Sequence, residues 1–259
     1  MKKKLTLALD AAFYLLVFVI IQFVVMAVAE FGLGYKYTAP QPAIVCSMIS
    51  GALTIALFIW RKWTPVSRDY LNTRPFGTLV WVALLSIGAV VPVMMITDSI
   101  GAEMPDEYLR LYSGIMSHEL GYFAIGIFAP VAEEIVFRGA VLRSLLKISG
   151  SHYRWIAILI SALLFGICHG NQAQFVSALL LGMIIGWMYC RTGSIVPGIM
   201  FHWVNNTIAF VMFRLMPASA DMKLIDFCGG DYVKYAIFGV CSLCVFVPSL
   251  YQLTLRMHK

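Results

Sequence analysis

Two adjacent carboxylates, Glu133 and Glu134, lie inside an apolar stretch that reads PVAEEIVFR over residues 130–138. If this stretch crosses a membrane, each ionisable side chain costs at least about 2.5–3.5 kcal/mol and must face a partner or a hydrated cavity. Glu134 and Arg138 are four residues apart, in the order that favours an ion pair on a helix. The spacing predicts that Arg138 partly neutralises Glu134 and leaves Glu133 available for chemistry.

Two later apolar stretches carry histidines and an asparagine. His169 lies in FGICHG (165–170), and His202 and Asn206 lie in FHWVNN (201–206). Four-residue spacing puts His202 and Asn206 on one helix face, with His202 about one turn closer to the cytoplasm, whereas Asn205 points elsewhere. Beside a carboxylate, these side chains suit an acyl-transfer site, because they provide a proton acceptor and hydrogen-bond donors for a developing oxyanion.

Basic residues near the span ends predict a common depth for these side chains. Glu133 precedes Lys147 by 14 residues, and His169 follows Arg154 by 15 residues. If both basic residues lie at the inner interface, a rise of about 1.5 Å per residue puts both polar side chains about 20 Å into the bilayer. Asn206 follows Thr192, near the inner end of its own span, by 14 residues and therefore falls at a similar depth. We therefore expect the four polar side chains to converge on one hydrated pocket inside the membrane.

The elements that must position these residues are membrane-spanning helices. Of 259 residues, 61% are hydrophobic and 12% are charged, against about 45–50% and 25% in soluble domains. The apolar residues form blocks of about 18–23 residues, long enough to cross a hydrocarbon core. The predicted fold is an all-α polytopic bundle of about eight helices in a single domain, 1–259. The predicted spans are 8–29, 42–60, 77–97, 120–146, 155–170, 174–190, 195–216 and 233–254.

The placement of Lys and Arg predicts the orientation. With both termini in the cytoplasm, 14 of the 19 basic residues fall on the inner side, as the positive-inside rule requires. We therefore expect an integral protein of the inner, cytoplasmic membrane. The net charge of +6 does not indicate nucleic-acid binding, because the basic residues flank apolar blocks. The inner basic residues are Lys2, Lys3, Lys4, Arg61, Lys62, Arg68, Arg74, Arg138, Arg143, Lys147, Arg154, Arg191, Arg256 and Lys259.

The polar motifs together resemble those of a known family. The patterns EExxxR (133–138), FxxxH (165–169) and HxxxN (202–206), in this order on successive predicted helices, are similar to the CAAX-protease and bacteriocin-processing family, also called the Abi or type II CAAX prenyl endopeptidase family. The resemblance covers about residues 115–215, which would form the catalytic core. It implies an eight-helix membrane fold with an active-site cavity and endopeptidase activity.

The resemblance also implies roles for individual residues. Glu133 and His169 would activate the attacking water, and His202 and Asn206 would hold the oxyanion or orient the water. Glu134 would support the site together with Arg138. The substrate would be a membrane-associated peptide or protein, such as a lipidated chain or a leader-peptide precursor.

Three other interpretations are compatible with the same residues. Zn²⁺ could be bound by Glu133, His169 and His202 with water as a fourth ligand, although the sequence has no HExxH motif and Asn is a poor zinc ligand; we favour a site without a cofactor. Buried carboxylates and histidines also form proton relays in transporters, but the repeated halves common in transporters are not evident here. A non-catalytic scaffold or immunity protein is the third interpretation.

Overall fold

A computed structural model describes residues 2–36, 38–67, 77–150, 152–220 and 222–257. Within these ranges the secondary structure is helical, without strands, so the predicted all-α class is confirmed. The helices are α1 (Lys2–Ala27), π1 (Val28–Gly32), α2 (Pro40–Trp60), α3 (Gly77–Ile100), α4 (Asp106–Ser117), π2 (Phe123–Phe128), α5 (Ala129–Glu134), π3 (Ile135–Leu142), α6 (Arg143–Ser149), α7 (Arg154–Ile167), α8 (Gln172–Thr192), α9 (Val196–Leu215), a 3₁₀ turn (Pro217–Ala220), α10 (Leu224–Phe227) and α11 (Tyr232–Arg256).

The bundle is polytopic. In the described part of the chain, six helical segments are long and apolar enough to cross a membrane. They correspond to the first, second, third, sixth, seventh and eighth predicted spans. The fourth is divided among π2, α5, π3 and α6, and the fifth is the 14-residue helix α7. The predicted total of eight spans therefore stays a prediction, while the chain is an integral membrane protein.

The segment with the two glutamates runs through the centre of the bundle. Every residue of π3 is buried, and Phe18, Phe58 and Ile158 from three other helices pack around it. Large apolar side chains on the outermost helices are instead exposed, as expected where lipid replaces water. Examples are Leu5, Leu9, Phe23, Val233, Val240 and Leu243.

The π-helical segments need hydrogen bonds from other helices. A π turn pairs residues five apart instead of four, so some carbonyl groups lose their usual donor. Two buried hydroxyls donate to carbonyls of π3: Thr64 Oγ1 donates to Ile135 O at 2.7 Å, and Ser161 Oγ donates to Phe137 O at 3.1 Å. These bonds tie π3 to α7 and to the segment after α2.

The neighbouring helices fix the position of α9. Ser86 of α3 donates through its buried hydroxyl to Phe201 O at 2.9 Å, directly before His202. At the other end of α9, Arg214 Nη1 donates to Ser117 O at 2.7 Å, which joins α9 to the short helix α4. On α4, burial raises the pKa of Tyr112 to about 12, so its phenol stays neutral at physiological pH. The helix that carries His202 and Asn206 is thus held at both ends.

Candidate active site

Glu134 and Arg138 form a fully buried ion pair. Arg138 Nη1 donates to Glu134 Oε1 at 2.7 Å, with 1% of the Arg138 side chain and none of the Glu134 side chain exposed. Arg138 also lies over the ring of Phe165 at 4.7 Å and donates to Gly182 O at 3.4 Å. The ion pair expected from the four-residue spacing is therefore present. Its packing holds the guanidinium between α7 and α8.

Glu133 has a different environment from its neighbour. Its side chain is 19% exposed, and its buried Oε2 has no hydrogen-bond partner in the described structure. The group nearest to Oε2 that could pair with it is His202 Nε2, at 3.7 Å. The carboxylate is therefore held less tightly than Glu134 and is partly exposed.

His202 lies between the two carboxylates. Its Nδ1 is 3.4 Å from Glu134 Oε1, while its Nε2 faces Glu133. The close approach of α9 to α5 depends on Gly198, one turn before His202, because a Cβ there would lie 2.6 Å from Glu134 Oε2. Although the sequence indicated that His202 lies one turn nearer the cytoplasm than Asn206, its side chain reaches both glutamates.

His169 lies just beyond the end of α7. Its Nδ1 is 2.9 Å from Phe165 O; since a carbonyl only accepts, Nδ1 carries the proton and Nε2 is the acceptor nitrogen in a neutral ring. The rings of His169 and His202 both lie edge-on to Phe165, with centroid distances of 4.9 and 5.8 Å. Among the described residues His169 has no hydrogen bond or ion pair to Glu133, so a molecule between them would have to join the two groups.

The turn after His169 is rigid. Asn171 Nδ2 donates to His169 O at 3.2 Å, and Asn171 Oδ1 caps α8 by accepting from Gln174 N at 3.0 Å. Gly170 between them has a φ of 72°, which is unfavourable for residues with a side chain. Asn171 thus supports His169, and the sequence pattern did not reveal it, although Asn before a helix is a typical N-cap.

Asn206 faces the start of the glutamate-bearing segment. Its Nδ2 donates to Ile125 O of π2 at 2.9 Å, and its Oδ1 accepts from Asn205 Nδ2 at 3.4 Å. The structure thus brings Glu133, Glu134 and His202 into contact and places Asn206 one turn away on the same helix. One of the two N–H groups of Asn206 is already engaged with the backbone.

A second polar cluster beside this site was missed from the sequence. Trp203 Nε1 donates to the Tyr122 hydroxyl at 2.9 Å, which lies 3.0 Å from Thr207 Oγ1. Trp203 and Thr207 are adjacent to His202 and Asn206 and repeat their four-residue spacing, which is the signal that could have indicated them. The cluster joins α9 to the segment before π2.

The residues of the zinc alternative do not form a ready metal site. Within the described ranges, no three His, Cys, Asp or Glu side chains are grouped closely enough to hold a metal ion. Glu133 and His202 approach each other at 3.7 Å, but among the described residues His169 forms no hydrogen bond or ion pair with either of them. The proposed zinc ligands therefore do not fit a metal in this arrangement.

An open cavity of about 480 Å³ lies against Gly170 and Asn171, the two residues that follow His169, while the side chains of Glu133, His169, His202 and Asn206 do not line it. Its wall combines the loop before α4 with the end of α7 and the start of α8. The hydroxyl of Tyr108 on α4 lies against Gly170. The cavity could therefore lead an extended peptide towards His169. The lining residues are Glu103, Pro105, Gly166, Ile167, Gly170, Asn171, Gln172 and Phe175.

Comparison with known proteins points to one family. Residues 117–208 match the family described as type II CAAX prenyl endopeptidase, Rce1-like, and this segment contains all the predicted site residues. Over this segment the chain is similar to the type II CAAX prenyl endopeptidases. The match supports an intramembrane protease by class, which would take a peptide or protein as substrate.

Two bacterial relatives are consistent with this family. The protein named "Putative membrane peptidase YdiL" of Bacillus subtilis (strain 168) is 25% identical over 237 residues, covering 82% of this chain and 95% of that protein. The UPF0177 protein YxdF of Lactococcus lactis subsp. lactis (strain IL1403) is 28% identical over 95 residues, covering 36% of this chain and 50% of that protein. No solved structure matches the chain.

Proposed function

We propose that the protein hydrolyses a peptide bond of a membrane-associated substrate, using Glu133 and His169 to activate water. The observation that supports this most strongly is the contrast between neighbouring carboxylates. Arg138 holds Glu134 Oε1 at 2.7 Å, whereas Glu133 forms no hydrogen bond among the described residues and its Oε2 faces His202 at 3.7 Å. A partly exposed carboxylate without a fixed partner is suited to accept a proton from water.

Glu133 would act first as a base and then as an acid. The water oxygen adds to the substrate carbonyl while one water proton moves to Glu133. The C–N bond of the resulting tetrahedral intermediate then breaks, and the same proton passes to the leaving amine nitrogen. The products are a carboxylic acid and an amine, which become a carboxylate and an ammonium group when the acid proton passes to the amine.

His169 would orient the attacking water. Because its Nδ1 donates to Phe165 O, its Nε2 can accept a hydrogen bond from the water without changing the ring's protonation. The packing of the ring against Phe165 and the bond from Asn171 to the His169 carbonyl restrict its movement. Because the ring is restricted, its Nε2 would fix the direction of the bound water as well as its location.

His202 would stabilise the oxyanion. Its Nε2 lies 3.7 Å from Glu133 Oε2, beyond hydrogen-bond distance, so this nitrogen is available to the substrate, and the second N–H of Asn206 lies one turn away on the same helix. In comparable enzymes, the loss of one such donor costs about 2.7–4 kcal/mol of transition-state stabilisation. The contacts of His202 with Glu134 at 3.4 Å and Glu133 at 3.7 Å would keep the donor next to the attacking water.

The substrate would reach the site through the cavity at the turn that follows His169. Its open shape and mixed polar and apolar wall suit an extended peptide whose other end is anchored in the bilayer. We propose a lipidated C-terminal segment or a leader-peptide precursor as the substrate, and the inner, cytoplasmic membrane as the location.

Proteomics of the cells that contain this protein would test the proposal. Membrane and secreted peptides would be compared between cells carrying the wild type and Glu133→Ala, with Glu119→Ala, an exposed carboxylate, as the matched control. We expect at least one membrane-associated precursor to accumulate with Glu133→Ala only. Unchanged peptides combined with proton-coupled uptake in vesicles would favour a transporter. Retention of the cellular phenotype with both Glu133 and His169 replaced would favour a scaffold.

A further inference from the structure

The helical hydrogen bonding is interrupted just before the two glutamates. The Ala129 N–H donates to Ala124 O, five residues earlier, at the end of π2. In the same register the next bond would run from residue 130 to Ile125 O. Residue 130 is proline, which has no N–H. The Ile125 carbonyl therefore loses the backbone donor that the π register would provide.

The side chain of Asn206 replaces that donor. Its Nδ2 lies 2.9 Å from Ile125 O, and the amide orientation is fixed, because only the nitrogen can donate to a carbonyl. Asn205 Nδ2 lies 3.4 Å from Asn206 Oδ1, which supports the same orientation. Thr64 and Ser161 satisfy carbonyls of π3 in the same manner, so side-chain donors from other helices recur along this segment.

We propose that Asn206 is a positioning residue that compensates for Pro130 and thereby holds the glutamate-bearing helix against α9. Glu133 and Glu134 follow Pro130 by less than one turn and a little more than one turn, and His202 precedes Asn206 by one turn. The Asn206–Ile125 bond and the contacts of His202 with the glutamates therefore join α9 to this segment at two successive levels. Without the Asn206–Ile125 bond, the distances between His202 and the two glutamates would no longer be fixed.

The membrane increases the importance of this bond. A carbonyl without a donor cannot turn to bulk water inside the hydrocarbon core, so it must find a partner within the protein. Loss of the Asn206 donor would leave Ile125 O unsatisfied. The helix would then shift to find another donor, and Glu133 would move with it.

A double-mutant cycle with Pro130 tests this proposal. The change Pro130→Ala provides an N–H at the position from which it can reach Ile125 O. We expect Asn206→Ala to lower Tm by about 2–6 °C in the wild-type background and by less than half of that in the Pro130→Ala background. Ser242→Ala is the matched control, because it removes a side-chain bond to a backbone carbonyl, Gly88 O at 2.9 Å, between two other helices, and it should give the same change in both backgrounds. Equal losses from Asn206→Ala in both backgrounds would overturn the proposal.

The Ile125 carbonyl can also be observed directly. Protein labelled with carbonyl-¹³C isoleucine and ¹⁵N glycine reports the four Ile–Gly pairs at 87–88, 100–101, 125–126 and 185–186, and Ile125→Val identifies the relevant resonance. We expect Asn206→Ala to move this resonance upfield and to leave the other three in place. If the Ile125 resonance does not move in Asn206→Ala, the proposal is overturned. This measurement does not use Pro130→Ala, so it decides the question even if that variant does not fold.

Peptidase activity provides a third measurement, which rests on the proposed function. We expect Pro130→Ala/Asn206→Ala to regain about tenfold in kcat/KM over Asn206→Ala, which corresponds to one recovered hydrogen bond. A double variant no more active than Asn206→Ala would show that Asn206 acts on the substrate and not by positioning. The Tm and carbonyl measurements need no peptidase activity, so they decide the positioning role even if the proposed function fails.

Discussion

At the scale of single residues, Glu133 and Glu134 are chain neighbours with opposite environments. Glu134 is fully buried and bonded to Arg138, whereas Glu133 is partly exposed and lies 3.7 Å from His202 Nε2. The side chains of adjacent helical residues point about 100° apart, so one can face the protein interior while the other faces a hydrated space. This difference separates a structural from a chemical role.

The two glutamates should therefore respond differently to the same substitution. Glu134→Gln leaves the buried Arg138 charge without its counter-ion, and breaking a buried pair in this manner costs about 3–5 kcal/mol. Glu133→Gln removes no hydrogen bond found in the structure and should leave stability nearly unchanged. We expect a clearly lower Tm for Glu134→Gln only, measured by thermal unfolding in detergent. Equal Tm values for the two variants would contradict the different roles.

Chelation tests the choice between a metal-free site and zinc. Because Glu133, His169 and His202 are not arranged as a ready ligand set among the described residues, we expect purified protein to keep its peptidase activity after treatment with a strong chelator. Metal analysis of the same sample should show less than stoichiometric zinc. Activity that is lost on chelation and restored by zinc would support the metal alternative.

At the scale of elements, hydrogen bonds from neighbouring helices stabilise the π-helical segments. Thr64 donates to Ile135 O at 2.7 Å and is almost fully buried. Thr64→Val keeps the shape but leaves the carbonyl without this donor, which costs about 1–3 kcal/mol. Thr54 is an equally buried threonine whose hydroxyl has no partner in the described structure.

The two threonines form a matched pair for measurement. We expect Thr64→Val to lower the free energy of unfolding and to reduce peptidase activity, since Ile135 directly follows Glu134. Thr54→Val should be neutral or slightly stabilising, because it removes an unsatisfied hydroxyl. If both variants unfold at the same temperature, the bond from Thr64 does not stabilise π3.

The sequence predicted the helices more accurately than the local geometry. Predicted spans such as 174–190 and 195–216 agree with α8 and α9 within a few residues, because apolar length is a direct requirement of the bilayer. The π register at Ile125 and Ile135 was not predictable, since it depends on donors from distant helices such as Asn206 and Thr64. His169 was located by depth, but its position beyond the end of α7 depends on the turn at Gly170.

The same limit applies to the candidate site. The Glu134–Arg138 ion pair followed from spacing on one helix, and the structure contains it. The position of His202 between two carboxylates depends on the close approach of α9 at Gly198, which spacing along one helix does not reveal. Contacts within a helix could thus be predicted, whereas contacts between helices could not.

At the scale of the whole molecule, the distribution of basic residues sets the expected orientation. The predicted topology assigns 14 of the 19 Lys and Arg residues to the side of the termini, of which Arg138 is buried in the bundle and the other 13 carry the bias. We expect reporters fused to either terminus to report the cytoplasm. A reporter inserted after Ala102, in the loop before α4, should report the opposite side. Opposite sides for the two termini would require an odd number of spans and would contradict the predicted topology.

Reconstituted protein provides the most direct measurement of the central claim, that Glu133 activates water for peptide hydrolysis. The substrate would be the precursor that the proteomic comparison identifies as cleaved only when Glu133 is present. Purified wild type and Glu133→Gln would be placed in liposomes and given this substrate in water enriched in ¹⁸O. We expect the wild type to release a product with ¹⁸O in its new carboxylate, and Glu133→Gln to be slower by about 10²–10⁴-fold at unchanged Tm. Cleavage by Glu133→Gln at the wild-type rate would contradict the claim.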